Sequence, residues 1–358
     1  MKNIVTVTGI RPDFIRMSEI FKKLDSEFNH VLIHTGQHFD SMLSDIFFKE
    51  LDIRKPDFNL KIGGPGKEHY HQSAKLSVEL LDLLKTLKEK PDIILFLGDS
   101  NSVTSAIPLK KEGYKIGHIE AGMRSGDKRM LEEINRTVCD HCSDYHFVYH
   151  EDYKENLIAE NLPEENIFVV GNTIVEVLNN HKYIFTYGGP AEDYIVLDIH
   201  RPENFKYENR LRNIMFMADQ LGYIYGIPVK LLNFNRTIEH LKHYNIPLHK
   251  FLVTDLMSYK DYLDFQYHSK FIISDSGTAQ EEPALFNKPV VVPRDYTERP
   301  QSIKNHCSYM INVNDFKYST LHAPSEIVDW LDHKESMCNK WLGKGNTSEL
   351  IIKTLKKL

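Results

Sequence analysis

Cysteine is scarce in this chain: four residues in 358. A chain of this length stabilises itself by burying an apolar core, and four thiols are no disulfide framework. The close pair in Cys139-Asp140-His141-Cys142 has no second cysteine pair or histidine cluster to complete a zinc site. Two thiols on an ordinary helix, in a reducing cytoplasmic setting, are the expectation. No apolar run approaches membrane-spanning length. Positive charge is not in excess: the net charge is −6 with both signs interspersed, which leaves no footprint for nucleic acid. The opening Met1-Lys2-Asn3-Ile4-Val5 runs into a strand-like pattern without a signal-peptide layout. No GxGxxG fingerprint follows that strand, so a nicotinamide cofactor is disfavoured. Gly63-Gly64-Pro65-Gly66-Lys67 lacks the Walker spacing and a hydroxyl after the lysine. A flexible loop is expected there instead.

What is present is alternation. Short, β-branched apolar runs bounded by turn residues read as buried parallel strands. In the first half they are Asn3–Val7, Val31–His34, Ile93–Leu97, Ile116–Ile119, Tyr145–Val148 and Ile167–Val170. Helical patterns lie between them, clearest over His71–Lys90, where Leu76, Leu80, Leu83, Leu84 and Leu87 share a face. The pattern breaks at Thr186-Tyr187-Gly188-Gly189-Pro190 and resumes with Tyr194–Ile199, Val229–Leu232, Phe251–Val253, Phe271–Ser274 and Val290–Val292. This βαβ alternation predicts an α/β protein of two Rossmann-like, doubly wound domains. The boundaries are 1–185 and 186–339, with a hinge near 185 and a closing helix within 340–358 packed on the first domain.

In open parallel sheets, ligands bind outside the carboxyl ends of the strands. Asp99 and Glu120 follow two such runs directly, and Glu132 opens the next helical pattern in Leu131-Glu132-Glu133-Ile134-Asn135-Arg136. Carboxylates so placed are candidates for proton transfer. Thr8-Gly9-Ile10-Arg11-Pro12-Asp13 also follows a strand; Arg11 at a helix start suits an anion, and an ordinary strand–helix turn is the plainer alternative. His34-Thr35-Gly36-Gln37-His38 brackets a turn rather than a helix face, so a polar lining is favoured over a metal site. In the second half, Ser274–Glu282 follows a strand with small residues that admit an anion at the next helix start, with Glu282 one to two turns inside that helix. Arg294 and Arg299 either add donors to a phosphate cradle or pair with Asp295 and Glu298. His200 and Arg201 end the strand that begins the second domain.

Taken in order, Gly9-Ile10-Arg11-Pro12, His34–His38, Gly98-Asp99, His118-Ile119-Glu120-Ala121-Gly122, Glu132–Arg136, Gly171-Asn172-Thr173, His200-Arg201-Pro202-Glu203-Asn204, Asp275-Ser276-Gly277 and Thr297-Glu298-Arg299-Pro300 resemble the non-hydrolysing UDP-N-acetylglucosamine 2-epimerase family. The resemblance implies a GT-B fold with its site between two domains. It implies Asp99, Glu120, Glu132 and His200 as the catalytic group and Arg11, Ser276, Gly277 and Glu282 as UDP contacts. Gln37, Arg136, Asn172, Arg201, Thr297 and Arg299 are further expected contacts to UDP or sugar. It also implies elimination of UDP to a 2-acetamidoglucal and re-addition with C2 inverted, no metal or other cofactor, a homodimer, and a place in polysaccharide biosynthesis.

The sequence departs from the family at Ser100-Asn101-Ser102, at Thr278, at Asn233-Phe234-Asn235-Arg236-Thr237 and at Lys128-Arg129-Met130-Leu131. Such changes are similar to those in relatives acting on UDP-linked N-acetyl-6-deoxy-L-hexosamines of the fucosamine or quinovosamine type, so that substrate stands beside UDP-N-acetylglucosamine. A hydrolysing epimerase, a GT-B glycosyltransferase and a nucleotide-sugar sensor are the competing readings; the intact acids argue against the sensor.

Overall fold

The computed structural model describes residues 1–36, 45–63, 68–180, 191–315, 322–333 and 335–358. Gln37 and His38, the stretch 64–67 and the break at 186–190 lie outside the described residues. The chain divides into two compact units, Met1–Asn180 with Leu342–Leu358, and His181–Trp341.

In the first unit, β1 (Asn3–Thr8), β2 (Asn29–His34), β3 (Phe58–Asn59), β4 (Ile93–Leu97), β5 (Ile116–Ile119), β6 (Tyr145–Val148) and β7 (Ile167–Val169) form one sheet. Its order is β3-β2-β1-β4-β5-β6-β7, and every pairing is parallel. All five positions of β4 are buried, as expected for a strand covered by helices on both faces. Val5, Val7, Ile94 and Phe96 share a core with Leu76, Leu80 and Leu84 from the helix His69–Thr86. That helix stops short of the expected Lys90: Leu87 is already extended, and Pro91 disfavours helix in the residue before it.

In the second unit, β8 (Ile195–Asp198), β9 (Val229–Leu232), β10 (Leu252–Thr254), β11 (Phe271–Ser274), β12 (Val290–Val292) and β13 (Ser308–Met310) pair in the order β10-β9-β8-β11-β12-β13, again all parallel. Phe271, Ile273 and Leu197 pack on Ile214, Met217 and Leu221 of the helix Glu208–Tyr225. Strands β3 and β13 carry no apolar run, which is why the sequence pattern passes over them. In both units the winding reverses direction next to the first strand, between β1 and β4 and between β8 and β11. Those reversal points are where a doubly wound sheet opens a crevice.

The C-terminal helix Thr347–Lys357 is bound into the first unit. Lys2 Nζ donates to the Leu355 carbonyl at 2.9 Å, and Ser348 donates to Glu176 through its amide and hydroxyl. The Asn172 amide donates to the Leu342 carbonyl at 2.7 Å.

A buried clamp joins the ends of β4 and β5. His118 Nε2 lies 2.7 Å from the Gly98 carbonyl and Nδ1 lies 2.6 Å from Asp140 Oδ1, both groups fully buried. A carbonyl and an ionised carboxylate only accept, so both ring nitrogens donate and the ring is an imidazolium. Asp140 Oδ2 also accepts the Gly122 amide and Arg124 Nη1. Burial opposes the Asp140 charge, but His118 and Arg124 outweigh it and hold the carboxyl at about 2. Burial likewise opposes the His118 charge, and the Cys139 sulfur with Asp140 drives it well above the ordinary histidine range.

The clamp sets an acid dependence. Asp140 is lower in the folded chain than the roughly 3.9 of an unfolded one, so its stabilisation is present above about pH 4 and is lost as pH falls toward 2. Asp140→Asn leaves His118 without its counter-charge and is expected to cost about 3–5 kcal/mol. Urea unfolding between pH 4 and 2 tests this: the wild type should weaken more steeply with acid than the variant, and parallel pH slopes in that window would remove the clamp from the stability of this unit.

Candidate active site

The acids of the first unit gather from three strand ends. Asp13 sits in the first turn of the helix Arg11–Glu27, where Oδ2 accepts the Gly9 and Ile10 amides at 2.8 and 3.1 Å. Arg11, half-buried, begins that helix beyond β1, with Pro12 beside it in the first turn. Burial raises the Asp13 carboxyl; the two backbone donors oppose the rise and the charges of Asp99 and Glu120 add to it, bringing it to about 7.

Glu120, just beyond β5, is buried and holds a left-handed backbone, φ +70°. For a residue other than glycine that conformation costs about 1–3 kcal/mol and persists only where the surroundings enforce it. Here its amide donates to the Phe147 carbonyl at 3.0 Å and its carboxylate pairs with Arg16. Gly122 keeps the turn tight: a Cβ there would lie 2.3 Å from the Tyr153 carbonyl oxygen.

Asp99 follows β4 and stays partly exposed, with its side chain at 25%. Arg136 Nη2 binds its carboxylate and Asn135 Nδ2 donates to its carbonyl at 3.0 Å. Both partners lie on the helix Leu131–Cys142. Glu132 stands three and four residues before them, on the same helix face. The adjacent Glu133 has a different task. It is buried and accepts from the Ser125 amide and hydroxyl, the Gly126 amide and Arg136 Nη1, which fixes the loop entering the helix. Of the two glutamates, Glu132 is the half-exposed one.

In the second unit, the fully buried Asp275 stitches two strand ends together. Its carboxylate accepts the His200 amide at 3.1 Å, the Arg201 amide at 3.0 Å and Asn204 Nδ2 at 3.0 Å. His200 Nδ1 lies 2.9 Å from Asp198 Oδ1, and its ring stands 4.9 Å from the Phe234 ring. One donor atom each from Asp198, His200 and Asp275 fall within 4.8 Å of one another. The carboxylates of this trio are engaged by His200, Tyr262, Ser274, Arg201 and Asn204, which makes them partners of a ring and of amides. Beyond β11, the Ser276 amide donates to Ser274 Oγ and its hydroxyl lies 3.0 Å from Thr278 Oγ1. Gly277 leaves room for the ion pair beside it: a Cβ would lie 2.7 Å from Arg299 Nη1 and 2.8 Å from Glu298 Oε1, so these side-chain ends would have to shift.

Several expectations change here. The helix expected after Ser276 is a pair of 3-10 turns, Thr278–Gln280 and Pro283–Phe286, because Pro283 removes an amide donor and disfavours helix just before it. Glu282 is therefore not inside a helix; it is buried, with Tyr259 OH donating to it at 2.9 Å. Of the two pairing acids expected for Arg294 and Arg299, Glu298 meets both, while Asp295 pairs with Arg210 at 2.9 Å. Arg299 is buried, its Nε on Glu281 at 2.7 Å and its Nη1 on Glu298, and Arg294 reaches Glu298 at 3.2 Å. Thr297 Oγ1 donates to Gln280 and accepts the Arg299 amide. Asn172 is buried and its side chain accepts the Ile174 amide at the start of the helix Thr173–Asn180. Asp13, Arg16, Glu133, Asp140 and Asp198 were not singled out from the sequence. Asp13 and Arg16 offered one signal, charged residues on a helix opening beyond the first strand.

With that geometry in place, the likeness to known proteins is direct. The profile of the family described as UDP-N-acetylglucosamine 2-epimerase matches residues 22–356. A UDP-N-acetylglucosamine 2-epimerase of Methanocaldococcus jannaschii is 33% identical over 366 residues, covering 98% of this chain and 97% of that protein. A UDP-2,3-diacetamido-2,3-dideoxy-D-glucuronate 2-epimerase of Pseudomonas aeruginosa is 33% identical over 305 residues, covering 82% and 84%. The crystal structure of the M. jannaschii enzyme in complex with UDP-GlcNAc and UDP superposes with a TM-score of 0.88 at 31% identity, covering all of both chains. Two doubly wound parallel sheets, acids beyond β1, β4 and β5, and a match along nearly the whole length place the chain in the UDP-N-acetylglucosamine 2-epimerase family, a family of isomerases.

Proposed function

We propose that the chain inverts C2 of a UDP-linked N-acetylhexosamine by expelling UDP and adding it back. The observation that carries this reading is the contrast among the acids. Glu120, Glu133 and Asp140 are buried in ion pairs, whereas Asp99 and Glu132 stay accessible on adjoining elements linked by Asn135 and Arg136.

No carbonyl adjoins C2 in the ring, so its proton is not acidic enough for simple removal. Loss of the C1–O bond as the proton leaves avoids a free carbanion: the C–H electron pair becomes the C1–C2 double bond of a 2-acetamidoglucal and the C1–O pair departs with UDP. A carboxylate takes the proton. A protonated carboxyl returns one to the opposite face while UDP re-bonds at C1. The acid must hold a proton near neutrality, which burial and neighbouring carboxylates both favour; Asp13, raised to about 7 by burial first and by the charges of Asp99 and Glu120 after it, stands in such a setting. Arg11, Arg201, Ser276, Gly277 and Glu282 are the residues we assign to the UDP part, and Arg136 holds Asp99.

A second reading, a 6-deoxy-L-hexosamine as the sugar, is favoured by Phe234. Its ring lies against His200 and offers an apolar surface that suits a C6 methyl better than a hydroxymethyl. Incubation with a panel of UDP-linked amino sugars, followed by proton NMR, decides between them.

In deuterated water, without any acceptor, deuterium should enter C2 of both UDP-linked epimers; stoichiometric free UDP with free sugar would instead mark a hydrolysing epimerase. Asp99→Asn and Glu132→Gln should each lower kcat by about 10²–10⁴-fold while UDP affinity, measured by calorimetry, holds within about threefold. Full activity in either variant removes the acid–base assignment. Arg11→Ala should weaken UDP about tenfold, the order of one charge-assisted hydrogen bond; unchanged affinity takes Arg11 off the phosphates.

A further inference from the structure

We propose that Asp198 is a positioning residue for His200: by accepting the Nδ1 hydrogen it turns the ring so that Nε2–H points outward, as a donor to an oxygen of the diphosphate that leaves and returns. The inference rests on the proposed function and on its assignment of Arg201, Ser276 and Gly277, in the same unit as His200, to the UDP part.

Asp198 is the last residue of β8, with its side chain 4% exposed. Three donors converge on it: His200 Nδ1 at 2.9 Å on Oδ1, and Tyr262 OH at 2.9 Å and Ser274 Oγ at 3.0 Å on Oδ2. Only an ionised carboxylate accepts from all three at once. Burial raises the Asp198 carboxyl, but His200, Tyr262 and Ser274 outweigh it and hold it below the usual carboxylate range. Tyr262 stays a neutral donor, because burial and then the Asp198 charge drive its hydroxyl well above the ordinary tyrosine value.

The groups facing His200 come from three elements. Asp198 ends β8, Asp275 follows β11 with an oxygen 3.5 Å from Nδ1, and the Phe234 ring follows β9; Arg201 is the next residue along. Burial works against a charged ring, Asp198 and then Asp275 favour it more strongly, and Arg201 opposes it; the outcome is a histidine that titrates above its ordinary value. With Nδ1 tied inward and the side chain still 34% exposed, no described residue engages Nε2. A hydrogen bond from Nε2 strengthens as the C1–O electron pair moves onto the phosphate oxygen, which is where a donor lowers the barrier. No proton has to transfer, so the balance of the elimination is unaltered.

Asp198 also ties β8 to β11 through Ser274, so the test includes readouts that a bracing role would not move. Nitrogen-15 NMR of the wild-type protein should show His200 titrating above about 6.5, with Nδ1 and Nε2 both protonated below that midpoint. In Asp198→Asn the midpoint should fall by about one unit or more, and the alkaline limb of kcat should move down with it. At neutral pH kcat should drop about 100-fold, the order of losing one oriented donor to a developing oxyanion, while UDP affinity changes by no more than about threefold. A wild-type midpoint at or below the ordinary value overturns the proposal without recourse to any variant. So does a variant that keeps the His200 midpoint, whether its kcat is unchanged or falls equally at every pH. Should no UDP-hexosamine be epimerised by the wild type, the functional reading fails while the titration still decides on Asp198.

Discussion

Carboxylates repel one another, and taking each out of water costs several kcal/mol unless a cation or a donor takes the place of solvent. The first unit sets Asp13, Asp99, Glu120, Glu133 and Asp140 near the ends of a few strands, and its architecture follows from the need to compensate them. Arg16 meets Glu120, Arg136 divides itself between Asp99 and Glu133, and His118 with Arg124 meets Asp140. Among the described residues the partners of Asp13 are backbone amides, and burial raises this carboxyl toward neutrality. Compensation is thus uneven, and the unevenness is useful. The acids paired in the interior act as girders, and on the proposed function the accessible ones exchange the proton.

The same pairs fix geometry. His118 spans from the carbonyl before Asp99 to the carboxylate that holds the Gly122 amide. The loops carrying Asp99 and Glu120 therefore cannot drift apart without breaking a buried ion pair. Glu120 accepts a left-handed backbone in return for its place beside Arg16, a local strain that its contacts with Phe147 and Arg16 over-determine.

The alternation of strand and helix was legible because buried parallel strands are nearly uninterrupted apolar runs, as in β4 and β5. The position of Asp99 and Glu120 just past those runs was legible for the same reason. The division of labour between Glu132 and Glu133 was not, since neighbours on a helix differ only in the direction they face. Partners such as Arg16 and Glu120, 104 residues apart, carry no local signal at all. The helix expected beyond Ser276 failed on a signal that was present: Pro283 sits five residues past Thr278, too soon for a helix to continue through it. Phe58–Asn59 and Ser308–Met310 pair by register alone, with no apolar pattern to betray them.

Two sheets wound in the same order serve opposite electrostatic needs. In the first unit acidity is kept available. In the second, each buried carboxylate turns onto a donor: Asp275 onto backbone amides, Asp198 onto a histidine and two hydroxyls, Glu281 and Glu298 onto Arg299, and Glu282 onto Tyr259. The acceptors are directed inward, and on the proposal made for Asp198 the outer ring nitrogen of His200 is the donor. A surface built that way suits an anion even though it is rich in acids, because what a ligand meets is the orientation of the dipoles and not the count of charges. The shared winding supplies two crevices of the same kind; on the proposed function, the direction in which the carboxylates point is what separates proton transfer in the first from the phosphate contacts that His200, Arg201 and Ser276 would make in the second.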